Sequence, residues 1–264
     1  MNEIIFSAVN LNKTYKQNDG RFGIREIKAL ENVSLHLRSG STLAIVGESG
    51  SGKSTLARCL LQLLPLDSGV VYFEGKNLIG LDKKELRQIR RYLQMVFQDP
   101  FASLNPRLKV GQIVGEGLVI HGLGSASEQQ SKVIRMLERV GLEESDMEKY
   151  PHEFSGGQRQ RIGIARALVL SPKVVVCDEP VSALDVSIQA QILLLLKELQ
   201  SEMNLSYLFI SHDLRVVRHI ADEVAVMFQG KIVEQGQVVD IYNNPNNEYT
   251  KNLLKAIPGN RVAY

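Results

Sequence analysis

Residues Gly47-Glu48-Ser49-Gly50-Ser51-Gly52-Lys53-Ser54-Thr55 satisfy the spacing G-x-x-x-x-G-K-[ST], the arrangement a chain needs to hold a nucleoside triphosphate. Glycines let successive backbone N–H groups turn toward one anion, Lys53 reaches the β- and γ-phosphates, and the Ser54 hydroxyl is placed to coordinate Mg²⁺. Thr55 adds a further hydroxyl. The loop follows the apolar stretch 42–46 and precedes a run of helix formers, 56–64, so the N–H groups and dipole of a helix N-terminus add to its attraction for phosphate. An ordinary glycine-rich strand-to-helix turn accounts for the glycines and serines alone; spacing and context together favour the phosphate site. Kinases, GTPases, helicases and transport ATPases all use such a loop, so the rest of the chain has to choose among them.

A second chemical cluster lies far along the chain, where Lys173-Val174-Val175-Val176-Cys177 runs into Asp178-Glu179-Pro180. The apolar run reads as a buried parallel strand, and ligands of open α/β sheets bind beyond the carboxyl ends of such strands. Asp178 is then the carboxylate that holds Mg²⁺ through its water shell, and Glu179 the one that accepts a proton from an attacking water. An acidic surface turn after a strand is the bland alternative. The phosphate loop earlier in the chain argues against it.

The elements that must position these groups are those of an α/β protein. Strands alternate with helical stretches, which predicts a largely parallel sheet. Residues 4–11 and 28–37 read as paired, half-exposed strands joined by a polar turn with Asn18, Asp19 and Gly20, and 70–74 continues that style. Between 99 and about 150 the pattern is helical, over 110–120 and 128–140, and reads as an inserted helical subdomain.

With 264 residues the chain is one large domain or a domain with a subdomain. Its 31 basic and 29 acidic residues nearly balance, for a net charge of +2, which gives no argument for nucleic acid. Apolar runs such as 192–196 fall far short of the ~20 residues that span a bilayer, and residues 1–11 lack the pattern of a secretory leader. Cys59 and Cys177 read as buried small hydrophobes in a reduced interior.

The family is indicated by Phe154-Ser155-Gly156-Gly157-Gln158-Arg159-Gln160-Arg161 ahead of a helical run, which resembles the signature motif of ABC ATPases. Ser155 and Gln158 also have capping-box spacing, but capping does not require two glycines in a first helical turn, where they lower stability. A γ-phosphate at that helix N-terminus is the natural reason for a close backbone approach.

The resemblance implies roles for further residues. Tyr15 matches the aromatic that stacks on adenine, with Phe22 competing in the same polar loop. Gln98 matches the glutamine that contacts Mg²⁺ and the attacking water and links the site to membrane subunits. Asp185, in Ser182-Ala183-Leu184-Asp185, matches the loop that couples two sites across a dimer. His212 matches the switch histidine on the γ-phosphate. His36, His121, His152 and His219 receive no role. The resemblance also implies a P-loop NTPase (RecA-like) core with an antiparallel β subdomain and an inserted helical subdomain. Its expected bounds are 1–98 and 160–264 for the core, 99–159 for the helical subdomain and 237–264 for a family-type tail. Two such domains pair head to tail, each ATP lying between one phosphate loop and the other subunit's signature motif. A module that binds ATP as a switch without hydrolysing it predicts a missing glutamate or histidine, and Glu179 and His212 are both present.

A closer resemblance rests on residues 97–107, 178–187, 241–245 and 249–254. These look like the ATP-binding subunits of dipeptide, oligopeptide and nickel importers. That likeness implies an ATP- and Mg²⁺-dependent engine on the cytoplasmic face of a bacterial or archaeal cell membrane. Its partners are two permease subunits, a second paralogous ATPase or another copy of itself, and indirectly an external solute-binding protein. The other function class is a soluble ABC ATPase acting in translation or DNA repair. One set of motifs and the lack of long heptad stretches speak against it.

Overall fold

The computed structural model describes residues 3–18 and 24–256. Phe22, Asp19 and Gly20 of the polar turn lie outside the described residues. In chain order the elements are β1 (Ile4–Asn18), β2 (Ile24–Arg38), β3 (Thr42–Val46), α1 (Lys53–Leu60), β4 (Ser68–Phe73), β5 (Lys76–Asn77), α2 (Lys83–Arg90) and β6 (Leu93–Val96). There follow α3 (Pro100–Ser103), α4 (Val110–His121), α5 (Ala126–Arg139), α6 (Gly156–Leu168), β7 (Val174–Asp178) and α7 (Val186–Met203). The last are β8 (Ser206–Ser211), α8 (Leu214–Ile220), β9 (Glu223–Phe228), β10 (Lys231–Gln237), α9 (Val238–Asn243) and α10 (Glu248–Lys255). The chain gathers into two compact units, Met1–Leu81 with Ser206–Tyr264, and Asp82–Leu205.

The first unit holds two kinds of sheet, and the sequence explains the difference. In β2, Val33, Leu35 and Leu37 are buried while Ser34, His36 and Arg38 alternate with them toward solvent, the period-two pattern of a half-exposed antiparallel strand. Accordingly β2, β1, β4 and β5 form an antiparallel sheet in that order. In β3 and β8 every residue is buried, as a strand covered on both faces requires. These two pair in parallel, β9 pairs in parallel on the other side of β3, and β10 returns antiparallel along β9. The C-terminal helices cover one face: Ile241, Tyr242 and Leu254 share a buried cluster with Ala44, Val46, Leu214, Val224 and Val226, and Tyr249 packs against it.

In the second unit β6 and β7 run parallel, with Leu93 opposite Val174 and Val96 opposite Cys177. The elements between β6 and β7 are helical. Reciprocal capping boxes, in which side chains satisfy the N–H groups that a helix start leaves over, fix the starts of α2 (Asp82 and Glu85), α5 (Ser125 and Glu128) and α6 (Ser155 and Gln158).

Candidate active site: a phosphate loop and a carboxylate strand end

Strand β3 ends at Val46 and the chain turns at once through backbone conformations that favour glycine. Gly47, Gly50 and Gly52 have φ of 153°, 80° and 106°. The turn is also crowded from behind. A Cβ on Gly47 would lie 2.1 Å from the Met227 carbonyl oxygen, and one on Gly52 would lie 2.3 Å from that of Ala29, whereas Gly50 has no other atom within 4 Å of its Cβ position. Gly47 and Gly52 are therefore demanded by neighbouring backbone as well as by φ, and Gly50 by φ alone.

Lys53 opens α1 and folds back over the loop. Its Nζ donates to the carbonyl oxygens of Gly47 and Glu48, both at 2.8 Å, so a buried ammonium finds acceptors while being kept at the mouth of the loop. Ser51 is 5% exposed, and its Oγ has no hydrogen-bond partner. An orphaned buried hydroxyl at a helix start, beside left-handed glycines, fits a phosphate group. Ser54 and Thr55 are half-buried in the first turn of α1, and Glu48 and Ser49 are exposed.

Register places two other candidates in the same unit. Val46 is opposite Ser211 in the parallel β3–β8 pair, so His212 leaves its strand level with Gly47, at the carboxyl ends where ligands of such sheets bind. Tyr15 is opposite Ile27 on β2, two residues from the Ala29 carbonyl that touches Gly52. It is 38% exposed, with the Lys13 ammonium 5.9 Å from its ring centroid.

The second unit carries the carboxylates. The register of β6 on β7 brings Gln98 level with Glu179, and the Gln98 Nε2 donates to Glu179 Oε2 at 3.2 Å. Glu179 has a φ of 47°, a left-handed conformation that costs a residue with a side chain about 1–3 kcal/mol and recurs at functional sites. Ser182 braces the bend, its N–H and hydroxyl donating to the Glu179 carbonyl at 3.3 Å and 3.1 Å. Asp178 is 5% exposed at the strand end. Asp185 stands at the N-cap of α7, exposed and without a side-chain cap bond.

At the signature segment the capping box forms: Gln158 N–H donates to Ser155 Oγ at 3.3 Å, and Ser155 N–H to Gln158 Oε1 at 3.0 Å. The close approach of Gly157 is to its own chain, since a Cβ there would lie 2.7 Å from Ile188 Cγ2. Ser155 is exposed and Gly156 and Gly157 are half-buried. Phe154 is buried. Cys59 and Cys177 are both buried and free, and burial pushes the Cys59 thiol up to about 11 and that of Cys177 higher still, consistent with inert packing.

One contact was not anticipated from the motifs. Tyr249 of α10 packs its ring against that of Phe228, with centroids 4.2 Å apart and the planes tilted by 33°, and its hydroxyl accepts the Glu48 N–H at 3.1 Å. Gly230, in the turn between β9 and β10, donates its N–H to the Ser51 carbonyl at 3.0 Å. The phosphate loop is thus braced by the β9–β10 hairpin and the C-terminal helix. Sequence spacing gives no signal for a contact across some 200 residues.

Comparison with known proteins decides the family. The model of the family described as "ABC transporter" matches residues 30–182. The chain belongs to the ABC transporter family. It is 51% identical over 258 residues to the dipeptide transport ATP-binding protein DppF of Haemophilus influenzae, a match covering 97% of this chain and 79% of that protein. To the oligopeptide transport ATP-binding protein AppF of Bacillus subtilis it is 49% identical over 262 residues, 98% of this chain and 80% of that one. The dimeric ATP-binding cassette MJ0796, solved in a post-hydrolysis state with ADP and Pi, is similar with a TM-score of 0.78 and 32% identity, covering 88% of this chain and 98% of that one. The fold is therefore that of an ABC ATPase, and the chain binds ATP and is an ATP hydrolase. Relatives named as transport ATP-binding proteins do not favour the soluble alternative in translation or repair. Among the described residues no helix is long and apolar enough to cross a membrane.

Two outcomes are expected at the phosphate loop. Gly47→Ala combines about 1–3 kcal/mol of backbone strain with about 1–3 kcal/mol of overpacking, whereas Gly50→Ala carries only about 1–2 kcal/mol; urea denaturation should rank them so, and equal midpoints would contradict the crowding behind Gly47. Tyr249→Phe keeps the ring against Phe228 and removes the acceptor, at about 0.5–1 kcal/mol, so steady-state kinetics should show KM for ATP rising about two- to fivefold with kcat little changed. A KM equal to that of the unaltered protein would show that the hydroxyl does not position the loop.

Proposed function

We propose that this chain is the ATP-hydrolysing subunit of an importer for dipeptides or oligopeptides. The observation that carries the cargo class is identity of about half over nearly the full chain to the Haemophilus influenzae dipeptide transport protein. In this reading the subunit sits peripherally on the cytoplasmic face of the membrane. It works with two permease subunits, a second ATPase of the same family or another copy of itself, and indirectly an external binding protein.

The residues divide the chemistry among them. ATP lies in the loop at 47–55, where Lys53, Ser51 and the backbone N–H groups of 49–55 take the negative charge of the β- and γ-phosphates, and Tyr15 stacks on adenine. Glu179, aimed by Gln98, polarises the attacking water and accepts its proton. His212 contacts the γ-phosphate. Ser155, Gly156, Gly157 and Gln158 of one subunit close over the nucleotide of the other, and Asp185 couples the two sites. ATP binding closes the dimer, hydrolysis lets it open, and that movement is delivered to the permeases.

Mg²⁺ fits the residues present. No group of three or more His, Cys, Asp or Glu able to hold a metal occurs among the described residues, but Mg²⁺ in phosphoryl-transfer sites needs only one or two carboxylates beside the phosphates and water. Ser54, Gln98 and Asp178 would hold it. When bound, the ion neutralises charge on the phosphate oxygens.

Two measurements test this reading. Glu179→Gln should lower ATP turnover by about 10²–10⁴-fold while leaving ATP binding intact; unchanged turnover would remove Glu179 as the base. Purification of the chain from its own cells in mild detergent should recover two multispanning proteins and a peptide-binding partner. Recovery of ribosomal or repair proteins without any membrane protein would overturn the importer, and a nickel-binding partner would replace the peptide cargo.

A further inference from the structure

Within the unit Asp82–Leu205 a cavity of about 260 Å³ is lined by Arg91, Lys132, Arg135 and Arg139 over an apolar floor that includes Leu118 and Leu170. Lys132, Arg135 and Arg139 fall at i, i+3 and i+7 of α5, one face of the helix, and Arg91 comes from the end of α2. No acidic residue lines the cavity.

This concentration of charge is not neutralised as cations elsewhere on the surface are. Lys13 pairs with Asp67 at 3.0 Å, Lys109 with Glu148 at 2.6 Å and Lys149 with Asp146 at 2.7 Å. In contrast, among the described residues the side chains of Arg135 and Arg139 enter no hydrogen bond or ion pair. Lys132 reaches only the Leu123 carbonyl, at 3.4 Å. Arg91 lies over the Tyr92 ring at 5.2 Å, and its buried Nε–H has no acceptor. Glu128, one turn before Lys132, accepts its hydrogen bonds from the N–H and hydroxyl of Ser125 at 2.7 Å and 2.9 Å, and its carboxylate is held below the usual range first by those bonds and only then by the charge of Lys132. Like charges one turn apart, as at Arg135 and Arg139, repel. The field reaches His121, whose imidazole is held below its ordinary range by burial and then by the charges of Arg87 and Arg91.

We propose that this cavity binds a phosphate group, either as inorganic phosphate or as the head of a small phosphate monoester. A phosphate carries a charge of about −1.5 to −2 near neutrality and three acceptor oxygens, which matches several converging cations better than a single carboxylate does. Guanidinium forks meet phosphate oxygens two at a time. Arg135 and Arg139 are exposed and Arg91 and Lys132 half-buried, so their attraction for phosphate is screened by salt and should weaken as ionic strength rises. The site is built from residues other than those of the triphosphate loop, so it is a second, non-catalytic anion site.

The test uses the full chain with its nucleotide site filled by a non-hydrolysable ATP analogue and Mg²⁺, so that the phosphate loop is taken. Inorganic phosphate and glycerol 3-phosphate are titrated separately by calorimetry. One equivalent of phosphate should bind, and Arg135→Gln/Arg139→Gln should weaken binding by about tenfold or more with ATP turnover unchanged. Arg139→Gln alone serves where the double variant is unstable, and should weaken binding in the same direction. Tighter binding of glycerol 3-phosphate identifies a monoester as the ligand, and equal or weaker binding identifies free phosphate. No binding of either at about 10 mM, or equal binding by the protein with and without the substitutions, would overturn the proposal.

Discussion

The site depends on a backbone loop held in conformations that the chain would not adopt unaided. Left-handed or strained φ at Gly47, Gly50 and Gly52 is what folds the chain back between β3 and α1, and such geometry persists only where surroundings over-determine it. Here the surroundings are identifiable. The carbonyls of Met227 and Ala29 leave no room for side chains at Gly47 and Gly52. The Gly230 N–H and the Tyr249 hydroxyl hold the Ser51 carbonyl and the Glu48 N–H. Lys53 closes the loop through two carbonyls. The buried β3–β8–β9 strands exist, from the site's point of view, to deliver Gly47 and His212 at the same level.

A related logic governs the carboxylate strand end. A general base has to be held still, and Glu179 is held by its left-handed backbone, by Ser182 on its carbonyl and by Gln98 on its carboxylate. The register of β6 on β7, rather than any direct sequence neighbourhood, brings Gln98 there. Strain at the position of the proposed base is the cost of that fixation, offset by the fully buried strand behind it.

Much of this was legible in the sequence because it is local. A glycine-rich loop with G-x-x-x-x-G-K-[ST] spacing between an apolar pentapeptide and a helix-forming run favours the phosphate site over a plain turn, and a strand that ends in two carboxylates has few readings. The run 174–177 reads as a buried strand because it is continuously apolar, and the helices over 110–120 and 128–140 carry a helical period that survives folding. The antiparallel strands β1 and β2 proved longer than their apolar alternation indicates, because the ladder continues through Tyr15 and Lys16, which pair with Ile27 and Glu26, all four exposed, without burying an apolar face. Long-range packing was not legible. Nothing in the spacing of Tyr249 indicates that its hydroxyl meets Glu48. The approach of Gly157 to Ile188 likewise needs the structure, since α6 and α7 are separated by β7. The cations of α5 lie in a helix that reads from sequence as an ordinary amphipathic one, and only the arrival of Arg91 makes them a cavity.

The assignment of residues 47–55 as the triphosphate cradle, with Lys53 and Ser51 turned to the phosphates, is tested most directly by a structure of the Glu179→Gln protein with ATP. The β- and γ-phosphates are expected in the loop, with Lys53 Nζ drawn from the Gly47 and Glu48 carbonyls onto phosphate oxygens and Ser51 Oγ within hydrogen-bond distance of phosphate. Nucleotide bound elsewhere, with Lys53 still on those two carbonyls, would contradict it.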